Sequence, residues 1–202
     1  MYIPKHFKVE DKEFIYDVIK ENSFATLFTQ HNGEPYATHL PLLLDEDYHV
    51  LYGHFARANE QWKDACRQNI LAVFHCPHCY ISPSWYETMQ AVPTWNYVSV
   101  HVYGKMEIIE DQEMIFQSFQ NMIEKYESPD SFYDMNDLDE RFMHGMMKGI
   151  VGFKINITKI EAKAKLSQNH SKKRQQLVTR KLEKTSDQDN QKIAELMRKN
   201  VP

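Results

Sequence analysis

The 202-residue sequence predicts a mainly β, α+β fold, in which a small closed or split β-barrel carries peripheral helices. Three observations lead there. An Asn32-Gly33 pair stands between two strand-like runs, FATLFTQ and PYATHLPLLL, a strong hairpin signal. The run from Trp95 to Ile109 alternates, with Tyr97, Ser99, His101 and Tyr103 on one face and Val98, Val100 and Val102 on the other. Helical stretches fall between hairpin-type links and long β runs rather than alternating with every strand, so a doubly wound parallel sheet fits poorly.

In chain order, residues 10–21 come first and carry Phe14, Ile15, Val18 and Ile19 at helical spacing behind Asp11, a natural N-cap. The hairpin comes next, and DYHVLYGHFA continues the strand pattern. Residues 59–67 read as a short helix capped by Asn59. NILAVFHC and CYISPSW read as two further strands ahead of the long run at Trp95. Residues 111–126 are helical, with Met114, Ile115, Phe119, Met122 and Ile123 as the buried stripe. An acidic loop over 128–140 leads to a short helix ending near Lys148, and GIVGFKINITKIEAK is the last strand. From Lys172 onwards the chain is polar, charged and helical. The expected organisation is a barrel domain over 1–170 and a basic helical extension over 171–202.

Hydrophobic residues make up 42% and charged residues 26% of the chain, an ordinary globular balance that calls for a packed core. No apolar run is long enough to span a bilayer, and there is no basic-then-apolar leader after Met1. With three cysteines, an odd number, a cytoplasmic protein with reduced thiols is expected. The net charge of −4 is uneven: residues 162–184 carry +7, which leaves −11 for the rest. A basic segment on an acidic body marks either an anion-facing surface or a solvated helix face.

Four phrases bear on chemistry. HCPHC, His75 to Cys79, has dithiol spacing, but the adjoining YISPSWY reads as strand and proline turn. The helix N-terminus that stabilises a reactive thiolate is missing, so structural thiols on a strand are expected. GHFARANEQW places Arg57 between a strand end and a helix start, where amides and a guanidinium suit a phosphate; a solvated Arg57 with Trp62 packing the helix down is the competing reading. Thr38 and His39 sit in a strand with no assembled triad nearby, and His39 reads as a hydrogen-bonded strand histidine. KLSQNHSKKR sets Ser167, Gln168 and Asn169 ahead of a basic helix, where Ser167 or Asn169 caps it or lines a polar ligand edge with Lys165.

Seven phrases, YIPKHF, ATHLP, GHFARANEQW, PHCYISPSWY, VPTWNY, VHVYG and KLSQN, occur in this order from Tyr2 to Asn169. Together they resemble the PaiB-like family of FMN-binding split-barrel proteins, negative transcriptional regulators of sporulation and extracellular protease production. The resemblance implies an FMN-binding split barrel that forms a homodimer with flavin at the subunit interface. It would put His54, Arg57 and Asn59 near the phosphate tail. Ser82, Ser84, Trp85, Thr94 and Trp95 would surround the ring or ribityl chain, with Lys165, Ser167, Gln168 and Asn169 along the rim. Two departures stand out: Cys76 replaces a common glycine, and Ala162-Lys163-Ala164-Lys165 replaces a phrase that usually carries a tryptophan.

The expected function is transcriptional regulation, direct or through a ligand or partner. Direct DNA contact would fall to Lys172, Lys173, Arg174, Arg180 and Lys181, without a helix-turn-helix. The rival class is a flavin-dependent oxidoreductase or flavin reductase of the same barrel type, in which the protein holds FMN for hydride or electron transfer.

Overall fold

A computed structural model describes residues 1–66, 68–88 and 90–200. Its strands are β1 (Lys8–Val9), β2 (Phe24–His31), β3 (Glu34–Pro41), β4 (Leu43–Leu44), β5 (Val50–Ala56), β6 (Asn69–Ile81), β7 (Thr94–Ile108) and β8 (Ile150–Lys165). The helices are α1 (Lys12–Glu21), α2 (Trp62–Ala65), α3 (Gln112–Tyr126), α4 (Glu140–Lys148), α5 (Lys172–Leu182) and α6 (Gln188–Asn200). The strands form one sheet in the order β3-β2-β6-β7-β8-β5-β4, with β1 added on β8. This is the mainly β, α+β architecture expected from the hairpin signal and the long alternating run.

The chain divides into two compact units. One comprises residues 19–73 and 102–160; the other comprises 1–18, 74–101 and 161–202. In the first, Asn32 and Gly33 both take positive φ, 53° and 81°, the two-residue turn that matches strand twist. That turn pairs His31 with Glu34 and sets the register through Phe24 and Pro41. Burial alternates along the pleat of β5, and Phe55 meets Phe153 of β8 with ring centroids 4.7 Å apart. Leu27, Leu42, Leu51 and Ile155 complete a fully buried centre. Gly104 is required where β7 passes β8: a Cβ there would lie 2.6 Å from the Asn156 carbonyl oxygen.

In the second unit, β1 pairs Lys8 with Lys163 and Val9 with Ala162. Val98 and Val100 are buried while Tyr97, Ser99 and His101 are partly open, as the alternation predicts. Helices α5 and α6 pack together through Val178, Leu182, Ile193 and Met197.

Several local expectations change. The two strands predicted around HCPHC are one continuous strand, β6, leading into a 3-10 turn over Pro83–Trp85; Pro77 does not break it. Of the helix predicted over 59–67, only Trp62–Ala65 is helical among the described residues, which exclude Arg67; the Asn59 side chain, ahead of it, accepts from the Gln61 amide at 3.1 Å. No α3 residue is fully buried, and Met114 is 41% exposed, so the predicted core stripe is only half covered. The basic C-terminal helix is two helices. Ser171, not Ser167 or Asn169, caps α5, accepting from the Arg174 amide at 3.3 Å.

Candidate functional site

The residues expected around a flavin fall into two sets. His54, Arg57 and Asn59 belong to the first unit, at the end of β5. The Arg57 amide donates to the Gly149 carbonyl at 2.8 Å. Its side chain donates from Nε to the Lys148 carbonyl at 2.6 Å and from Nη2 to the Ile150 carbonyl at 2.5 Å. A guanidinium has five N–H donors, so three remain after these two bonds. The group is thus fixed in orientation while keeping a cationic edge. It lines a cleft of about 340 Å³ together with Trp62, Gln112, His144, Lys148 and Val151. Trp62 Nε1 in turn donates to the Arg57 carbonyl at 3.2 Å.

His54 stacks on Phe119 of α3 at 4.7 Å, and burial pushes its imidazole below the ordinary pKa. Asn59 is half-buried, and its Nδ2 donates to Thr38 Oγ1 at 2.8 Å. Thr38 donates to Gln61 Oε1, and the wholly buried Gln61 donates from Nε2 to Thr29 Oγ1 at 3.0 Å. Sequence reasoning missed Gln61 as a structural hub, although it sits inside the GHFARANEQW phrase. Thr38 emerges as a link in this chain, and His39 bonds Thr26 through Nδ1 at 2.8 Å, the strand histidine expected.

The remaining residues belong to the second unit. Ser82 Oγ accepts from the Ser84 amide at 3.2 Å and bonds Ser84 Oγ at 2.8 Å, fixing the turn that carries Trp85. Trp95 is 52% exposed and lies 6.0 Å from both the His78 and Tyr80 rings. Lys165 Nζ donates to the Trp95 carbonyl at 2.5 Å and to Thr94 Oγ1, so these three residues form one group. Burial, then the neighbouring Lys163, lowers the Lys165 pKa. Ser167 is not on a rim. It is buried, takes a positive φ of 66°, and exchanges hydrogen bonds with the buried Asn96. Gln168 is spent on its own backbone, Nε2 to the Ala164 carbonyl at 2.6 Å and Oε1 from the Leu166 amide at 2.7 Å. Asn169 is exposed.

Of the residues expected at DNA, Lys172, Lys173, Arg180 and Lys181 are exposed on α5. Arg174 is engaged: its Nε donates to Glu87 at 3.0 Å, and the guanidinium lies 5.5 Å over the Tyr86 ring.

The family profile described as "Putative FMN-binding domain" matches residues 1–159, and the chain belongs to that family. Within it the chain is PaiB-like: it is 42% identical over 202 residues to "Protease synthase and sporulation protein PAI 2" of Bacillus subtilis (strain 168), covering 98% of this chain and 96% of that protein. The fold is shared with the flavocytochrome Anf3 from Azotobacter vinelandii, at TM-score 0.64 and 15% identity, over 81% of this chain and 72% of that one. It is shared too with the conserved hypothetical protein Rv2991 from Mycobacterium tuberculosis, at TM-score 0.59 and 15% identity, over 84% of this chain and 92% of that one.

Proposed function

We infer that the protein is a dimeric FMN-binding split barrel that negatively regulates sporulation and extracellular protease genes. The regulatory part rests on similarity to the sporulation protein of Bacillus subtilis along nearly the whole chain. The flavin part rests on Arg57: two backbone carbonyls hold its guanidinium, leaving N–H donors free on a cleft that also carries His144 and Lys148. A pre-oriented guanidinium binds phosphate with less loss of side-chain entropy than a free one.

Residue by residue, Arg57 holds the phosphate, with His54 beside it as a neutral imidazole packed on Phe119. Trp95 offers a ring face, and Trp85 is held nearby in sequence by the Ser82 turn. Lys165, fixed by Thr94 and the Trp95 carbonyl, supplies positive charge to the polar edge of the ring. FMN itself supplies a redox-active, light-absorbing ring. The exposed aromatics Phe24 and Phe28, on one face of the β2–β3 hairpin, support a self-association surface.

Flavin-fluorescence quenching on titrating FMN into purified protein tests the reading. Saturable quenching is expected, weakened roughly ten- to hundredfold in Arg57→Ala. Unchanged affinity in a folded variant removes the phosphate assignment. If the FMN-loaded protein oxidises NADPH with turnover, the oxidoreductase class replaces the regulatory one.

A further inference from the structure

A second cleft, of about 550 Å³, lies in the unit that holds Arg57 but shares no residue with the Arg57 cleft. One wall is a single face of α3: Met114, Gln117, Ser118, Asn121 and Lys125 succeed one another at helical spacing. The other is Leu43 and Leu44 of β4 with Tyr52 of β5, and Lys20 closes one end. The face grades from an apolar residue at Met114, through amides, to an ammonium at Lys125.

Both lysines are held in place. Lys125 Nζ donates to the Lys20 carbonyl in the last turn of α1 at 2.7 Å. Lys20 Nζ lies 3.3 Å from Tyr48 Oη and 4.6 Å over that ring. Burial, then Lys20, lowers the Lys125 pKa: two cations share a partly desolvated cleft. Two carboxylates line the same cleft, Glu46 and Asp45, whose Oδ1 accepts from the His49 and Val50 amides at 2.7 and 2.9 Å. The two ammonium groups bond elsewhere, Lys20 to Tyr48 Oη and Lys125 to the Lys20 carbonyl. Gln117 Nε2 donates to Asn121 Oδ1 at 2.9 Å, which leaves the Asn121 amide N–H groups as further donors. The volume lies within the range of small-ligand sites. Met114, the exposed member of the α3 stripe, lies on this wall.

We propose that this cleft binds a small amphiphilic carboxylate, its apolar body against Met114, Leu43, Leu44 and Tyr52 and its carboxylate on Lys20 and Lys125. The site is independent of the flavin reading and provides the chain with an effector pocket of its own.

Calorimetric titration with decanoate tests it, with decan-1-ol, inorganic phosphate and FMN as comparison ligands. Decanoate is expected to bind at concentrations below about 1 mM, and decan-1-ol and phosphate at least roughly tenfold more weakly, since each lacks one half of the complement. Lys125→Met and Lys20→Met should each weaken decanoate by about tenfold, and Lys125→Arg should restore it to within about threefold. Melting curves establish that each variant is folded, and Lys20→Met carries the test if Lys125→Met is not. Bound decanoate should survive saturating FMN. The proposal is overturned by no decanoate binding, by equal binding of decan-1-ol, by affinity unchanged in both lysine variants, or by competitive displacement with FMN, which would make the cleft the flavin pocket.

Discussion

Asn96 and Ser167 clasp each other in the interior: Asn96 Nδ2 donates to Ser167 Oγ at 3.0 Å, and Ser167 Oγ donates back to Asn96 Oδ1 at 3.2 Å. Asn96 has no exposed surface and also bonds the Met197 sulfur at 3.4 Å, so β7, the end of β8 and α6 meet at one polar point. Ser167→Ala leaves the Asn96 amide short of its partner. A loss of roughly 1–3 kcal/mol in unfolding free energy is expected. Urea unfolding measures it; a loss near zero would mean that Ser167 is spare for a ligand.

Gly104→Ala tests the tightest crossing. Its Cβ would come 2.5 Å from Ile155 Cγ2 and 2.6 Å from the Asn156 carbonyl oxygen, and the second neighbour is backbone that cannot rotate away. A destabilisation of about 1–3 kcal/mol or more is expected, read as a lower thermal midpoint with the flavin affinity per folded molecule unchanged.

Acid should destabilise the fold through His54. Burial holds its folded pKa below the ordinary 6.5, so the unfolded chain takes up a proton first as pH falls. Stability is therefore full above about pH 6.5 and declines as pH drops toward the folded value. His101 and His170 are shifted the same way, chiefly by burial, and add to the slope. Melting temperatures between neutral pH and mild acid should fall in the parent protein and fall less in His54→Phe, which keeps a ring on Phe119. Equal slopes would exclude His54.

The HCPHC phrase should be chemically quiet. Burial pushes the Cys79 thiol up to about 12, far from the thiolate range needed for exchange at neutral pH. Cys76 is buried as well, whereas Cys66 is exposed. A chromogenic disulfide reagent at neutral pH should label Cys66 alone in the native state. Rapid labelling that persists in Cys66→Ser would contradict this.

On α5, Lys172, Lys173, Arg180 and Lys181 are exposed, while Arg174 serves Glu87 and Tyr86. If the protein contacts DNA directly, replacing Lys172, Lys173 and Arg180 with Ala should abolish a salt-sensitive gel shift, and Arg174→Ala should act mainly on stability. The absence of any shift at low salt would direct regulation through a partner or ligand.

Much of this was legible because it is local. The Asn32-Gly33 turn needs only its own backbone preferences, and the Val98, Val100, Val102 alternation declares its buried face residue by residue. Asp11 caps the first helix as its position indicates, its carboxylate accepting from the Phe14 amide at 3.3 Å. The helix expected from Asn59 is confined to Trp62–Ala65, while the Asn59 side chain ahead of it accepts from the Gln61 amide and joins the Thr38–Gln61 network, a contact that reaches across the sequence. Ser167 was misread for a similar reason: its partner Asn96 lies 71 residues away, and no spacing within KLSQN reports that contact. The open face of α3 was likewise invisible, since helical periodicity identifies an apolar stripe without saying what covers it.

The chain passes from one compact unit to the other four times, at 18/19, 73/74, 101/102 and 160/161. Every passage falls inside a regular element: α1, β6, β7 and β8 respectively. Domain boundaries ordinarily fall in exposed linkers, and here no such seam exists. A protease or a cloning cut has no loop at which to separate the two halves, and any fragment encoding one of them severs hydrogen-bonded backbone.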